Sequence, residues 1–197
     1  MTATSATRHL VPAIFTTPWL WPIAIVVLLA AGATDLQVHW QQRRPRPGPG
    51  DVVLAVTLVV VGLASVATGA TLPAADTVLW PSLGLTVMAA SLVLRVAAMR
   101  HLGADFNGDL MTRPGQVVVD AGPYRLVRHP GYLSVGAYLT GNMLLFGFWP
   151  PIVAMVILMG AFLRARILKE EGINRDGIVG YDDYTQRVRW RLIPGLW

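Results

Sequence analysis

The sequence contains no cysteine and few charged residues. Without cysteine, disulfides and thiolate metal sites are excluded, and the redox compartment cannot be inferred. Charged residues make up 14% of the chain and hydrophobic residues 54%, whereas a soluble domain has roughly 25% charged residues. A chain of 197 residues with this composition is predicted to be an integral membrane protein.

Several ligand-binding motifs are also missing. The four histidines show no HxxxH or HxH spacing, so no metal is expected. No GxGxxG follows a strand pattern, and no G-x-x-x-x-G-K-[ST] occurs, which excludes the soluble dinucleotide fold and the P-loop. The net charge is +5, but the basic residues lie between apolar runs. That distribution indicates membrane topology and contact with membrane lipids rather than nucleic-acid binding.

Five apolar segments are present, and a helix needs roughly 20 apolar residues to cross the hydrocarbon core. The segments cover residues 18–39, 52–72, 77–99, 131–149 and 151–168. The last is short and contains Arg164 and Arg166, whose long side chains can reach the interface. A re-entrant or interfacial helix is the alternative there. The predicted fold is all-α and polytopic, with five transmembrane helices in one domain, residues 1–197.

The basic residues predict the orientation of these helices. Connections 40–50 and 100–130 and the tail after residue 168 are rich in arginine, whereas 70–76 and the "FWPP" turn have no basic residue. The positive-inside rule places the basic connections in the cytoplasm, with the N-terminus outside and the C-terminus cytoplasmic. The expected location is the bacterial inner (plasma) membrane, with the first segment retained because it is too long for a signal peptide.

A cationic cluster precedes the fourth apolar segment. Arg125, Arg128 and His129 come directly before Pro130, and proline is favoured at the first position of a helix. A helix is therefore expected to begin near Pro130. Its free N–H groups, its dipole and the arginines suit a carboxylate or a phosphate. The alternative is a positive-inside anchor without a ligand.

Two adjacent carboxylates follow the fifth segment. Glu170 and Glu171 oppose the dipole at the end of a helix, and Glu170 can pair with Arg166 at i,i+4, whereas Glu171 has no helical partner. They are either functional or simply a solvated helix end. In the tail, arginines alternate with apolar residues in "RVRWR", which is typical of an interfacial anchor. Tyr181 and Tyr184 are candidates to line a site.

Together these motifs resemble a known family. The stretch "GPYRLVRHPGYLSVG" is similar to the G-x-Y-x-x-x-R-H-P-x-Y motif of the isoprenylcysteine carboxyl methyltransferases and related phospholipid methyltransferases. "LKEE" and "GYDDYTQRVRWRLIP" are similar to that family's E-E and G-x-x-Y-x-x-Y motifs and its closing I-P. The resemblance covers about residues 85–194. It departs at Ser134, where the family has glycine, and over "GINRDGIVG".

The resemblance implies S-adenosylmethionine as methyl donor and a lipid-like acceptor that enters from the bilayer. It implies a cytoplasmic cofactor pocket formed by the 100–130 loop and the C-terminal tail. The implied cofactor-binding positions are His129, Tyr132, Arg128, Pro130, Gly122, Tyr124, Leu126 and Tyr181. Glu170 and Glu171 are implied near the cofactor or the reaction centre.

The acceptor is left open by the sequence. Carboxyl O-methylation is the first expectation; a carboxylate needs no base, but it needs a positive group such as Arg175 or a tail arginine. A phospholipid amine would need a base, with Glu171 as candidate. The sequence is also compatible with a sterol-type reductase that uses NADPH, and with a non-enzymatic scaffold or transporter subunit.

Overall fold

A computed structural model describes residues 78–105, 112–145 and 149–197, together with a few helical positions between residues 22 and 33. Side chains are described at all these positions except residue 104 and residues 149–156. The first two predicted membrane segments therefore lie mainly outside the described residues. Within the described part the fold is all-helical and contains no β-strand, which confirms the predicted class.

Four α-helices follow one another in this part of the chain. We number them α1 (Leu79–Leu102), α2 (Pro130–Leu145), α3 (Trp149–Gly177) and α4 (Tyr181–Arg187). Two short 3₁₀ helices, Gly103–Asp105 and Gly122–Arg125, lie between α1 and α2. Of the described helices, α1 alone has the length and the apolar composition needed to cross a membrane.

Helices α1 and α2 pack closely through glycine. A Cβ atom added to Gly84 would lie 2.6 Å from the carbonyl oxygen of Gly141, and one added to Gly141 would lie 2.8 Å from the carbonyl oxygen of Gly84. Both are closer than real Cβ contacts, so neither position accepts a larger residue without movement. Small residues at such a crossing let two helix backbones approach, as is common among membrane helices.

Helix α3 is longer than its apolar segment. It runs 29 residues, about 44 Å at 1.5 Å per residue, and continues past residue 168 through the two glutamates. It ends at Gly177, where an added Cβ would overlap the hydroxyl of Thr112. The extension carries Glu170 and Glu171 on an ordered helix rather than at a helix end, so they do not directly oppose its C-terminal dipole.

The loop before α2 and the tail after α3 pack against each other, as predicted. Val118 donates its backbone N–H to Val179, and Val179 donates to Gln116, at 3.3 and 3.0 Å. Tyr181, Tyr184 and Val188 form a buried cluster that also contacts Val118. The Tyr184 hydroxyl donates to the backbone oxygen of Tyr124 at 2.8 Å. These contacts fix the walls of one polar cleft.

Candidate active site

The cationic start of α2 lies directly against the two glutamates of α3. Helix α2 begins at Pro130, as predicted. The Nδ1 atom of His129 is 3.7 Å from the Glu170 carboxylate, and its Nε2 atom is 3.5 Å from the Glu171 carboxylate. The "RHP" motif and the glutamate pair, both of which the resemblance implied near one cofactor, therefore lie together. The start of α2 therefore faces two carboxylates of the protein itself, those of Glu170 and Glu171.

Backbone pairing with the tail holds the residues before Pro130 in place. Arg128 donates its N–H to the carbonyl of Trp190, and His129 donates to the carbonyl of Arg191, both at 2.9 Å. Because His129 directly precedes the helix, this pairing fixes the direction in which its ring enters the site. The His129 ring also stacks on Tyr132, with the ring centroids 5.8 Å apart.

Glu171 is the centre of a buried ion cluster, formed by Glu171, Arg128 and Arg191. Glu171 is 2% exposed. Arg128 Nη2 lies 3.0 Å from one carboxylate oxygen, and Arg191 donates through Nε and Nη2 to the other at 3.0 and 2.9 Å. Burial alone would raise the pKa of Glu171, but the adjoining His129 ring and the two guanidinium groups lower it to about 2. Glu171 is therefore a poor base, and the base role suggested for it with an amine acceptor does not fit its surroundings.

Glu170 belongs to a second arrangement, which we call the tyrosine bridge: Arg166, Tyr132 and Glu170. Arg166 donates through Nε to the Tyr132 hydroxyl at 2.7 Å, and that hydroxyl donates to Glu170 at 2.6 Å. The Arg166 guanidinium also lies 5.6 Å from the centre of the Tyr132 ring. Arg166 and Glu170 are thus linked through a tyrosine from another helix. The Glu170 side chain is 26% exposed, so its carboxylate is more accessible than that of Glu171.

A cleft opens beside these two arrangements. Its cavity volume is about 100 Å³, which is below the roughly 300–1,000 Å³ of ligand pockets, and it is partly open to solvent. Its polar lining includes Arg128, His129, Glu170, Asn174 and Tyr181, and its apolar lining includes Ile173, Ile178, Val118 and Leu102. Mixed lining of this kind suits a ligand with both a flat apolar part and charged groups.

Three side-chain atoms of cleft-lining residues have no hydrogen-bond partner among the described residues. They are the Nε atom of Arg128, the Nε2 atom of His129 and the hydroxyl of Tyr181, and these residues are 5–8% exposed. Burial raises the pKa of Tyr181 to about 12, against the lowering effect of the neighbouring Asn174 side chain, so its hydroxyl stays protonated and able to donate. Buried polar groups are rarely left unpaired, and three at one cleft indicate a place for a polar ligand.

The predicted site residues divide into three groups. Tyr124, Arg128, His129, Glu170 and Tyr181 line the cleft. Tyr132, Pro130 and Glu171 lie behind it and support those residues. Gly122, Leu126 and Arg175 are the third group and are not part of its lining.

The third group has other surroundings. Leu126 is 67% exposed. Gly122 has a φ of +56° and packs on the His101 ring. The exposed Arg175 pairs with Asp182 at 3.4 Å; its expected role as an acceptor-holding cation is not supported by a place in the cleft.

Several further residues of the site were not selected by sequence reasoning. Arg191 is one of three alternating tail arginines, yet it alone of these contacts Glu171 among the described residues. Asn174 and Ile178 fall in the stretch where the family motif is not matched, although both line the cleft. Helical spacing from Glu170, at i,i+4, was the available signal for Asn174.

Comparison with known proteins supports an enzymatic site. Residues 82–173 match the model of the isoprenylcysteine carboxyl methyltransferase (ICMT) family, which confirms the resemblance read from the motifs. This is a family of methyltransferases that are integral membrane proteins. The matched region contains most of α1, all of α2, the "RHP" motif and both glutamates. No curated protein sequence matches the chain.

Proposed function

Because residues 82–173 match the isoprenylcysteine carboxyl methyltransferase family, we propose that the protein transfers a methyl group from S-adenosylmethionine to a lipid-like acceptor. The reaction is carboxyl O-methylation of the isoprenylcysteine type. The observation that carries this proposal is the convergence of His129, Glu170 and Glu171 beside a cleft that is lined by both charged and apolar residues.

The residues of the cleft fit this cofactor. His129 Nε2, which lies 3.5 Å from Glu171, and the Tyr181 hydroxyl make no hydrogen bond within the described residues and are the groups expected to bond to it, and Tyr124 and Arg128 complete the wall. When bound, S-adenosylmethionine supplies a methyl group activated by a cationic sulfonium. Tyr132 orients His129 by stacking. Pro130, Gly122 and Leu126 do not line the cleft. In this proposal they set the course of the backbone that carries the lining residues.

The two glutamates have different roles in this proposal. Glu171 pairs with both Arg128 and Arg191 and so fixes the Arg128 side chain at the edge of the cleft. Glu170 faces the cleft as a partly accessible carboxylate, where its charge favours a cationic group nearby. Holding donor and acceptor in line accounts for most of the catalysis, since proximity supplies several kcal/mol.

An anionic acceptor also needs a cation near the cleft. Arg175 remains the candidate, because its pair with Asp182 is exposed, and exposed pairs contribute little. An acceptor carboxylate can therefore compete with Asp182. The tail arginine Arg189 is exposed as well and is the second candidate for this role.

The membrane arrangement completes the proposal. Five spans, with the N-terminus outside and the C-terminus in the cytoplasm of a bacterial inner membrane, place the cleft where a water-soluble donor and a bilayer-borne acceptor meet. The whole chain, 1–197, forms one domain with its catalytic region at 85–194.

N-methylation of a phospholipid amine is the second candidate. One observation favours it: the accessible carboxylate of Glu170 lies at the cleft and is held by the Tyr132 hydroxyl. Such a carboxylate can accept a proton from an ammonium group through water. In this case Glu170, and not Glu171, acts as base.

Two measurements test the proposed function. Purified protein in detergent is heated with S-adenosylhomocysteine or with NADPH, and a specific ligand raises the Tm. We expect stabilisation by S-adenosylhomocysteine; stabilisation by NADPH instead would indicate a reductase.

Methyl-labelled S-adenosylmethionine is then incubated with host lipid extract, and mass spectrometry distinguishes a methyl ester from an N-methylated headgroup. Stabilisation by neither ligand, with no label transferred, would refute the proposal.

A further inference from the structure

A turn at residues 191–197 packs against the site from the tail, and we call it the closing turn. We propose that Trp197 in this turn is a positioning residue of the site. It holds Arg191 against Glu171, and through that contact it sets the position of Arg128 and His129 at the cleft. Trp197 itself is not among the residues that line the cleft.

The Trp197 ring is flanked by two guanidinium groups. Arg191 Cζ lies 5.4 Å and Arg164 Cζ lies 5.8 Å from the ring centre. A guanidinium within about 6 Å of an indole face is attracted to it, and tryptophan is the strongest partner of this kind. The ring therefore limits the rotamers of Arg191, whose side chain is otherwise 25% exposed.

The backbone of the turn brings the indole to this position. The N–H groups of Arg191, Leu192 and Ile193 all donate to the backbone oxygen of Trp197, at 3.0, 3.0 and 3.1 Å. Gly195 has a φ of +83°, a conformation that glycine adopts without strain. Three donors on one oxygen fold the chain back on itself, so that Trp197 lies over Arg191.

Arg191 connects Trp197 to the cleft through two sets of contacts, one of its side chain and one of its backbone. Its Nε and Nη2 atoms both donate to Glu171, whose other oxygen contacts Arg128 at 3.0 Å. Its backbone carbonyl accepts the N–H of His129 at 2.9 Å. Arg128 and His129 line the cleft. A residue outside the cleft thus controls two residues within it.

The effect on the cofactor rests on the proposed function, whereas the effect on Arg191 does not. We therefore test each part by a separate readout of the full chain in detergent. The variants are Trp197→Ala, Trp197→Phe and Arg191→Gln, together with the double variant of the first and the last. Leu196→Ala is the matched control, because Leu196 lies in the same turn and is 75% exposed.

The first readout is the Tm without ligand. We expect Trp197→Ala to lower it by about 4 °C and Trp197→Phe, which keeps an aromatic face, by less than half of that. In the Arg191→Gln background, the loss of Tm caused by Trp197→Ala should be smaller, since only Arg164 remains beside the Trp197 ring. An equal loss in both backgrounds would overturn the contact between Trp197 and Arg191 as the basis of the effect.

The second readout is the Kd of S-adenosylhomocysteine. We expect Trp197→Ala to weaken binding on the order of tenfold, Trp197→Phe to restore most of it, and Leu196→Ala to change nothing. The double variant should bind no more weakly than Arg191→Gln. Unchanged affinity in Trp197→Ala would overturn the positioning role. So would a double variant whose loss of affinity equals the product of the losses in the two single variants. If the wild-type protein binds no S-adenosylhomocysteine, the proposed function fails instead, and the Tm series still decides whether Trp197 holds Arg191.

Discussion

The two adjacent glutamates of α3 occupy surroundings that differ in kind. In the buried ion cluster, Glu171 is nearly inaccessible and its charge is matched by Arg128 and Arg191. In the tyrosine bridge, Glu170 is partly exposed and held by one hydroxyl. Of two adjacent glutamates, one can therefore stabilise the fold while the other faces the cleft, because a helix turns about 100° from one residue to the next.

Replacing Glu171 should give the largest effect. Glu171→Gln leaves two guanidinium groups without their carboxylate in a buried place, which costs about 3–5 kcal/mol. We expect a loss of about 10 °C or more in Tm. The matched variant Glu170→Gln, at an accessible position, should lose much less Tm but more of the methyl-transfer rate. Equal losses of Tm in the two variants would remove the distinction between the two arrangements.

The pH dependence of stability should report the same cluster. The pKa of Glu171 is lowered from 4.5 to about 2, so its contribution is fully present above the unfolded-state value and is lost as pH falls from about 4.5 to about 2. That difference corresponds to about 3 kcal/mol.

This contribution is measured as the difference between the unfolding curves of wild-type and Glu171→Gln protein between pH 7 and pH 3. The difference should be constant from pH 7 to pH 5 and shrink below that. A difference that already shrinks between pH 7 and pH 5 would contradict the lowered pKa.

Breaking the tyrosine bridge should have an intermediate effect. Tyr132→Phe keeps the stacking on His129 and removes the hydroxyl between Arg166 and Glu170. Loss of these hydrogen bonds to charged groups costs about 1–2 kcal/mol. Because Glu170 is then free to rotate, we expect the methyl-transfer rate to fall about tenfold. A rate equal to the wild-type rate would show that the bridge does not hold a group needed in the reaction.

The smallest effect is expected at an exposed ion pair outside both arrangements. Asp182 is 72% exposed and pairs with Arg175 at 3.4 Å, so Asp182→Asn should change the free energy of unfolding by less than about 1 kcal/mol. If Arg175 holds an anionic acceptor, freeing Arg175 from Asp182 should lower the KM for that acceptor and leave kcat unchanged. An increase in KM, measured with the acceptor identified by mass spectrometry, would argue against this role.

Much of the site could be predicted from the sequence because local rules act on it strongly. Proline at the first helical position predicted the start of α2, and the 100–130 loop and the tail were expected to form one pocket, which agrees with the hydrogen bond between Val118 and Val179. The meeting of His129 with the glutamates followed from the motifs. By contrast, "RVRWR" presents three equivalent arginines, and only the closing turn determines that Arg191 points to Glu171.

The extents of the helices were predicted less well. Hydropathy indicated a segment ending at 168, but α3 continues to Gly177, since helix formation does not require an apolar surface. Trp149, predicted as the last residue of the fourth segment, is the first residue of α3. The short helix α4 was not predicted, because its seven residues are too few to show a hydrophobic period. The cleft depends on these details, and so its lining could be predicted only in part.

The most direct test of the account is the affinity of S-adenosylhomocysteine for wild-type and His129→Ala protein at pH 7, measured by calorimetry with Leu196→Ala as control. The account predicts binding to the wild type and to the control, and a loss of at least about tenfold in His129→Ala. Equal affinity in all three proteins would contradict the claim that His129 and the glutamate pair form one ligand site.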